Sequence, residues 1–242
     1  MPDESAPVPP TSPADQPTTA HSAQPHIRVT EQGPYVVTGG PRLTQRIRVL
    51  NAEGEAVAWQ AGPDWETKGM TWRLCRCGHS SNKPFCDNTH KTIEWDGTLT
   101  ADHAPSDTRR QELEGVGMTM TDDTSLCAGY AFCDRFGSVW NEINQTADPE
   151  VRERLKAQIQ LCPSGRLQYF IERAQGAVEL TYEPTIATIV NGAYWVLGGI
   201  PVTGPDGFTY EVRNRQLLCR CGQSQNKPFC DGSHWQIRFR AP

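Results

Sequence analysis

The sequence predicts an α+β fold in which a small strand-rich unit occurs twice, with a segment of a different kind between the two copies. The first observation is a duplicated stretch, CRCGHSSNKPFCDNTH over residues 75–90 and CRCGQSQNKPFCDGSH over residues 219–234. The second is a strand pattern before each stretch, IRVTEQGPYVVTGG from residue 27 and IATIVNGAYWVLGG from residue 186. A unit of about 60 residues buries little surface alone, so we expect the two copies to pack against each other.

The segment between the copies predicts a helix and two strands. In DPEVRERLKAQIQ, Asp148 can cap a helix and Pro149 suits its first position. One apolar stripe would follow on that helix, formed by Val151, Leu155 and Ile159. Further on, RLQYFIE and AVELTYE alternate as two short strands joined at a glycine. The first copy also has roughly 15 additional residues before its cysteine stretch, including NAEGEAVAW.

These patterns divide the chain into four parts. We expect residues 1–25, which contain seven prolines, to be a disordered tail. The first copy spans residues 26–100, the intervening segment residues 101–184, and the second copy residues 185–242.

Composition excludes several classes of protein. Lys and Arg number 23 against 28 Asp and Glu, a formal charge of -5, and no basic field indicates a nucleic acid or an anionic membrane surface as partner. No apolar run approaches the roughly 18 residues of a membrane span, and no N-terminal signal pattern is present. The nine cysteines fall into three groups of three, which suits metal sites better than disulfides. We therefore expect a soluble protein of a reducing, cytoplasmic compartment.

The duplicated stretch has the pattern C-x-C-x8-C-x3-H, which supplies three thiolates and one imidazole. A cysteine and a histidine four residues apart lie on one side of a helical turn, whereas C-x-C suits an extended loop. The alternative is a zinc site with three cysteines and one histidine, although such sites usually separate paired cysteines by two to four residues. The candidate ligands are Cys75, Cys77, Cys86 and His90 in the first copy, and Cys219, Cys221, Cys230 and His234 in the second.

Both stretches resemble the signature of the CDGSH iron–sulfur proteins, the mitoNEET-like family. The second copy matches at every signature position, and the first departs at Asn88, where the family has glycine. Asparagine tolerates a left-handed backbone best among the other residues, so the turn can still form. The resemblance implies a [2Fe-2S] cluster in each copy, with the first two cysteines on an inner iron and the last cysteine and histidine on an outer, more exposed one.

Members of this family with one motif per subunit form homodimers through a strand-rich cap. The resemblance therefore implies tandem CDGSH units that form an intramolecular pseudo-dimer, in which the duplication supplies both halves. We accordingly expect a monomer with an internal pseudo-twofold axis.

The intervening segment carries the third cysteine group, Cys127, Cys133 and Cys162. One interpretation is that Cys127 and Cys133 are buried apolar residues. CAGYAFC followed by a distant Cys-Pro also resembles single-cluster bacterial ferredoxins, with Tyr130 where their fourth ligand lies. The resemblance implies an inserted ferredoxin-like α+β domain with a [3Fe-4S] cluster on three thiolates, or a [4Fe-4S] cluster if Asp134 is a fourth ligand.

The function that these patterns favour is one-electron transfer between a reductase and an acceptor protein. The alternatives are an iron–sulfur carrier that donates clusters to apo acceptor proteins and a zinc-binding interaction module. We expect no substrate-converting enzyme, because no phosphate-binding loop, nucleophile elbow or carboxylate pair is visible. The aromatic side chains of Trp140, Tyr194 and Trp195 are expected to fill small cores.

Overall fold

A computed structural model describes residues 24–242, so the predicted disordered tail at residues 1–25 lies almost wholly outside the described residues. Within residues 24–242 the chain forms twelve β-strands, which are β1 (His26–Val29), β2 (Tyr35–Thr38), β3 (Arg42–Leu50), β4 (Ala56–Asp64), β5 (Trp72–Leu74), β6 (Gln111–Gly115), β7 (Met118–Asp122), β8 (Leu167–Phe170), β9 (Thr185–Ile189), β10 (Tyr194–Leu197), β11 (Val202–Thr203) and β12 (Arg215–Leu218). It also forms three α-helices, α1 (Val139–Glu142), α2 (Pro149–Leu161) and α3 (Ser233–Gln236).

The two copies exchange strands. Each copy begins with an antiparallel hairpin, β1–β2 in the first and β9–β10 in the second. Strand β3 of the first copy pairs parallel with β9, and strand β11 of the second copy pairs parallel with β1. The resulting sheets have the orders β11-β1-β2-β5 and β12-β10-β9-β3-β4. The expected packing of the copies is confirmed, because each one completes the sheet of the other.

The register of the exchanged strands is the same in both sheets. Ile27 lies opposite Val202, and Ile186, the equivalent residue of the second copy, lies opposite Leu43. All four side chains belong to one buried core to which both copies contribute. The small units therefore share a hydrophobic core that neither copy forms alone.

The additional residues of the first copy form the long hairpin β3–β4, which extends the second sheet at its edge. Trp59 on β4 packs against Tyr130 and Phe132 of the intervening segment and against Trp195 on β10. This hairpin thus holds the intervening segment against the second copy.

The intervening segment has its own three-stranded sheet, β6-β7-β8, and the helices α1 and α2. The predicted helix is confirmed over Pro149–Leu161, and the carboxylate of Asp148 accepts a hydrogen bond from the amide of Glu150 at 2.8 Å. Leu155 and Ile159 are fully buried in the core of this segment.

The second of the two predicted strands is wrong. RLQYFIE contains β8, which pairs with β7, but the AVELTYE segment at 177–183 is irregular. The segment makes one backbone hydrogen bond to β8, from Val178 to Tyr169 at 2.8 Å. Side chains bind it further on, where Asn214 donates to the carbonyl of Leu180 and Arg215 donates to the carboxylate of Glu179. Val178 and Leu180 are exposed, and Tyr182 packs against a core.

Of the two hairpins that begin the copies, the intervening segment covers β9–β10 of the second copy. Every residue of β9 and β10 is buried, whereas burial alternates along β2. A second core lies between this segment and the β9–β10 hairpin, and its largest members are Tyr130, Phe132, Trp195, Leu197 and Leu217. The two copies therefore share a topology but not an environment. Within the described residues, no helix is long and apolar enough to cross a lipid bilayer.

Two buried tyrosines join each copy to the cysteine motif of the other. The hydroxyl of Tyr35 donates to the carbonyls of Cys219 and Pro228, at 2.8 and 3.1 Å. The hydroxyl of Tyr194 donates in the same way to Cys75 and Pro84, at 2.8 and 3.0 Å. Burial raises the pKa of both phenols, so the hydroxyls stay neutral donors. Tyr194 fills the core as expected, and it also braces the motif of the other copy.

Replacing Tyr35 or Tyr194 by phenylalanine removes the hydroxyl that donates to the opposite motif and keeps the ring. We expect Tyr35→Phe and Tyr194→Phe each to lower the free energy of unfolding by about 1 to 2 kcal/mol, because a buried hydrogen bond to backbone carbonyls is lost. Chemical denaturation followed by circular dichroism measures the change. Tyr210→Phe is the matched control, since Tyr210 is buried in the same core, and equal losses in all three variants would contradict a specific role for the two braces.

Candidate metal centres

The two cysteine motifs meet back to back at a pair of glycines. Gly78 follows the first C-x-C and has φ of 82°, and Gly222 follows the second and has φ of 81°. A Cβ atom at Gly78 would collide with the carbonyl of Cys221, and one at Gly222 would collide with the carbonyl of Cys77. Both positions therefore require glycine for its backbone freedom and its missing side chain.

The first two cysteines of each copy form a close pair of sulfur atoms. The Sγ atoms of Cys75 and Cys77 lie 3.8 Å apart, and those of Cys219 and Cys221 lie 3.9 Å apart. Two sulfurs bound at about 2.3 Å to one tetrahedral metal atom lie about 3.8 Å apart. All four side chains are buried. Each pair thus has the spacing of two ligands on one metal atom.

The last cysteine and the histidine of each copy form a second pair. The Sγ of Cys86 lies 3.5 Å from Nδ1 of His90, and the Sγ of Cys230 lies 3.3 Å from Nδ1 of His234. A sulfur and a ring nitrogen on one tetrahedral metal atom are about 3.5 Å apart. These spacings fit two donors on a single metal atom.

A left-handed residue starts the short helical turn that brings each of these histidines back to its cysteine. It is Gly232 in the second copy, with φ of 90°, and Asn88 in the first, with φ of 71°. The expectation that asparagine preserves this turn is confirmed.

The aspartate of each motif holds the loop in shape. Asp87 accepts from the hydroxyl of Thr89 at 2.6 Å and from the amides of Thr89 and Ser81 at 3.0 and 2.8 Å, and these bonds hold the pKa of its carboxyl well below the usual range. Asp231 accepts in the same way from the amides of Gln225 and Ser233. The aspartates therefore fix the conformation of the loops by accepting hydrogen bonds from loop amides. The cysteine sulfurs and histidine nitrogens are the candidate metal donors.

The donors lie in pairs rather than in a single group. Across residues 24–242, no three side chains of His, Cys, Asp or Glu converge closely enough to hold one metal ion. The two pairs of the first copy are nevertheless close enough for their charges to interact. Charge on Cys86 raises the pKa of Cys77, and charge on Cys75 raises the pKa of Cys86. Each copy therefore presents two neighbouring two-donor sites.

The inner pairs favour a thiolate. The hydrogen bond with Cys77, the amides of the loop and the nearby Lys83 lower the pKa of Cys75 to about 6. The corresponding hydrogen bond with Cys221, the loop amides and Lys227 lower the pKa of Cys219 to about 7. The same shared hydrogen bonds raise the pKa of Cys77 and Cys221. A thiolate is the form of cysteine that binds metals, and each pair therefore carries one negative charge more readily than two.

Buried arginines at the centre of each C-x-C were missed by the sequence analysis. Arg76 donates to the carbonyls of Gly33 and Gly97 at 2.7 and 2.6 Å, and its guanidinium lies 4.6 Å from the ring of Trp95. Arg220 lies between the rings of Tyr194 and Phe239. The repeated CRC triplet was the available signal. Arg76 lies close enough to Cys77 and Cys219 for their charges to interact, which lowers the cost of a thiolate in a buried site.

The outer pairs of the two copies differ in burial. Cys86 and His90 are partly exposed, whereas Cys230 and His234 are only 3% and 2% exposed. The implied exposed outer pair is therefore wrong for the second copy. The reason is the intervening segment: the ring of Tyr130 lies 5.6 Å from the ring of His234. Burial lowers the pKa of His234 to about 4, so its imidazole is neutral and has a lone pair for a metal.

The three cysteines of the intervening segment line one pocket. Cys127 and Cys133 border it from the loop before α1, and Cys162 borders it from the end of α2. Arg166 also lines the pocket, and Asp122 binds its guanidinium at 2.5 and 2.8 Å. Burial raises the pKa of the Cys133 thiol to about 12, an effect that a bound cation would oppose. The pocket offers three sulfur donors beside one fixed positive charge.

The hydroxyl of Tyr130 is not among the donor atoms of this pocket, because it is bound by the second copy. Its hydroxyl accepts a hydrogen bond from the amide of Ala193 at 3.0 Å, and a Cβ at Gly192 would collide with it. Asp134 lies nearer to the sulfurs, with Oδ1 3.6 Å from the Sγ of Cys133. Three thiolates and a neighbouring carboxylate are therefore the candidate donors for this pocket.

Family models match the same three regions. A model described as iron-binding zinc finger CDGSH type matches residues 32–91 and 191–235, and one described as divergent 4Fe-4S mono-cluster matches residues 113–172. Comparisons with curated proteins and with solved structures gave no significant match. The matched regions contain all eleven candidate ligands. The chain is an iron–sulfur protein in which two CDGSH-type segments flank an inserted divergent 4Fe-4S segment.

Proposed function

We propose that this protein carries single electrons on three iron–sulfur clusters. Two are [2Fe-2S] clusters, held by Cys75, Cys77, Cys86 and His90 in the first copy and by Cys219, Cys221, Cys230 and His234 in the second. The third is a [3Fe-4S] cluster held by Cys127, Cys133 and Cys162. The observation that carries the proposal is the arrangement of donors in pairs with the spacing of two ligands on one iron.

The paired donors favour a two-iron cluster over a single zinc ion. A structural zinc site brings four donors around one metal atom, whereas each copy here presents two separate pairs. In a [2Fe-2S] cluster each iron takes two protein ligands, which this arrangement supplies. The buried Arg76 and Arg220 and the lowered pKa values of Cys75 and Cys219 also suit an anionic cluster.

The donor set of the intervening segment supports three protein ligands. Tyr130, at the position of the fourth ligand in related ferredoxins, directs its hydroxyl to the second CDGSH copy. A [4Fe-4S] cluster in this pocket would need another ligand, and Asp134 beside Cys133 is the candidate. We favour [3Fe-4S] because the three sulfurs line the pocket and Asp134 does not.

Electron transfer is the function that the placement of the ligands supports best. Bound clusters would supply one-electron redox chemistry. Support for transfer between two of the proposed sites comes from residues beside them: Trp235, next to His234, donates from Nε1 to the carbonyl of Ala128, next to Cys127, at 2.9 Å. The partners on this proposal are a reductase and an electron-accepting protein.

The second candidate function is donation of a cluster to an apo acceptor protein. The observation that favours it is the partial exposure of Cys86 and His90 at the first copy. Incubation of the loaded protein with an apo ferredoxin distinguishes the two functions. Reversible reduction without iron transfer supports electron carriage, and loss of iron to the acceptor supports donation.

Metal analysis tests the cluster assignment. We expect about seven iron and eight acid-labile sulfide per chain after anaerobic purification, since two [2Fe-2S] clusters and one [3Fe-4S] cluster add to that content. An iron count of about eight would indicate [4Fe-4S] in the intervening segment, and about four would leave that segment empty. Zinc without sulfide would overturn the proposal.

Substitution of the histidines tests their role as ligands. We expect His90→Cys and His234→Cys each to lower the reduction potential of one [2Fe-2S] cluster by on the order of 100 mV, because a thiolate adds negative charge and two histidines in place of cysteines account for several hundred mV. A redox titration followed by electron paramagnetic resonance measures the shift.

His79→Gln is the matched control for these variants. His79 lies within the first motif, is exposed, and has glutamine at the equivalent position of the second copy, Gln223. This variant should leave all potentials unchanged. Unchanged potentials in His90→Cys and His234→Cys as well would exclude both histidines as ligands.

A further inference from the structure

We infer that the two CDGSH sites are not equivalent: Tyr130 and Trp235 cap the outer ligand pair of the second copy, which makes it a retained internal site and leaves the first copy as the exchangeable one. This inference rests on the proposed iron–sulfur function. It assigns a role to three features that ligation leaves unexplained, which are the position of Tyr130, the exposed tryptophan after His234 and the long β3–β4 hairpin.

Tyr130 is seated in the second copy by a bond that the first copy cannot make. Its hydroxyl accepts from the amide of Ala193 at 3.0 Å, and its ring is 4% exposed. The equivalent residue of the first copy is Pro34, which has no N–H to donate. The first copy therefore cannot bind a tyrosine hydroxyl by the equivalent backbone hydrogen bond.

Trp235 closes the outer side of His234. The two rings lie 4.6 Å apart between centroids, and the indole Nε1 donates to Ala128 of the intervening segment at 2.9 Å. Trp235 itself is 38% exposed, so it forms the boundary between His234 and solvent. The equivalent residue of the first copy is Lys91, which is exposed. The ring of His90 lies 6.5 Å from the ring of Trp95 and stays partly exposed, whereas His234 is buried.

Arg48 on the β3–β4 hairpin joins the two parts of the cap. Its Nη1 donates to the carbonyl of Tyr130 at 3.2 Å, and its guanidinium lies 4.6 Å from the ring of Trp235. This hairpin contains the roughly 15 additional residues of the first copy, and the second copy has only the short strand β11 in the corresponding place. The first copy thus supplies a clamp that covers the second copy's site and not its own.

The two sites have the same types of ligand but differ in how easily another molecule reaches them. A second protein can reach the Cys86–His90 pair directly, whereas Cys230 and His234 are reached only if Trp235 and Tyr130 move. Opening of the cap breaks the bonds to Ala128 and Ala193, so loss of metal from the second copy requires a local opening step.

Labelling of released cysteines tests this inference. Anaerobically purified loaded protein is incubated with the ferrous chelator bathophenanthroline disulfonate and iodoacetamide, and mass spectrometry follows alkylation of each cysteine with time. We expect the cysteines of the first copy to be labelled at least about tenfold faster than Cys219, Cys221 and Cys230, since about 1.4 kcal/mol of local opening free energy slows access tenfold. Equal labelling, or faster labelling of the second copy, overturns the inference.

Two variants transfer the sequence of the first copy to the cap. Trp235→Lys removes the indole, and Ala193→Pro removes the N–H that holds Tyr130; each should speed labelling of the second copy by about tenfold, the factor that about 1.4 kcal/mol represents. The matched control is Lys91→Trp, because the first copy has no counterpart of Tyr130 to complete a cap. This control should leave the first copy's labelling unchanged. Unchanged labelling of the second copy in both cap variants overturns the role of Tyr130 and Trp235.

The same experiment separates this inference from the proposed function. If the purified protein contains no iron, the proposed function fails, and alkylation without chelator still compares Cys86 with Cys230. Faster labelling of Cys86 then supports the cap alone, and equal labelling overturns it.

Discussion

The exchange of strands between the two copies positions both cysteine motifs. Strand β3 completes the sheet of the second copy and β11 that of the first, so both copies share one core. Tyr35 and Tyr194 then reach across this core to hold the backbone of the opposite motif. Neither motif has a complete support within its own copy. A duplicated chain satisfies this requirement intramolecularly, whereas a chain with one copy would need a second molecule.

The charge of the motifs is balanced by the residues that build them. Each C-x-C encloses an arginine that is almost fully buried, Arg76 or Arg220, and a lysine lies near each inner pair. Thiolates in a buried site are costly without such cations. The guanidinium of Arg76 is held in place by hydrogen bonds that it donates to several backbone carbonyls of the first copy. Arg76 therefore fixes the loop that carries Cys75 and Cys77 against the rest of the first copy.

The inserted segment breaks the symmetry that the duplication creates. It packs on β9 and β10 and buries Cys230 and His234, while Cys86 and His90 keep contact with solvent. The contact is specific to the second copy because Ala193 has the N–H that Pro34 lacks. Similar ligand sets thus occupy different dielectric and steric environments, and burial, aided by the nearby charge of Arg48, lowers the pKa of His234 to about 4.

Spacing and periodicity are local properties, so the repeat, the strand patterns before each motif, helix α2 and the candidate ligands could be predicted from the sequence. The sequence also indicates that Asn88 can replace glycine, since the left-handed turn depends on one residue. Three features depend on contacts between distant parts of the chain and follow only from the tertiary structure. Residues 177–183 form no strand, Arg76 and Arg220 are buried, and Tyr130 binds the second copy. The tertiary structure also sets the unequal burial of Cys86 and Cys230, because burial depends on which distant segment packs on a site.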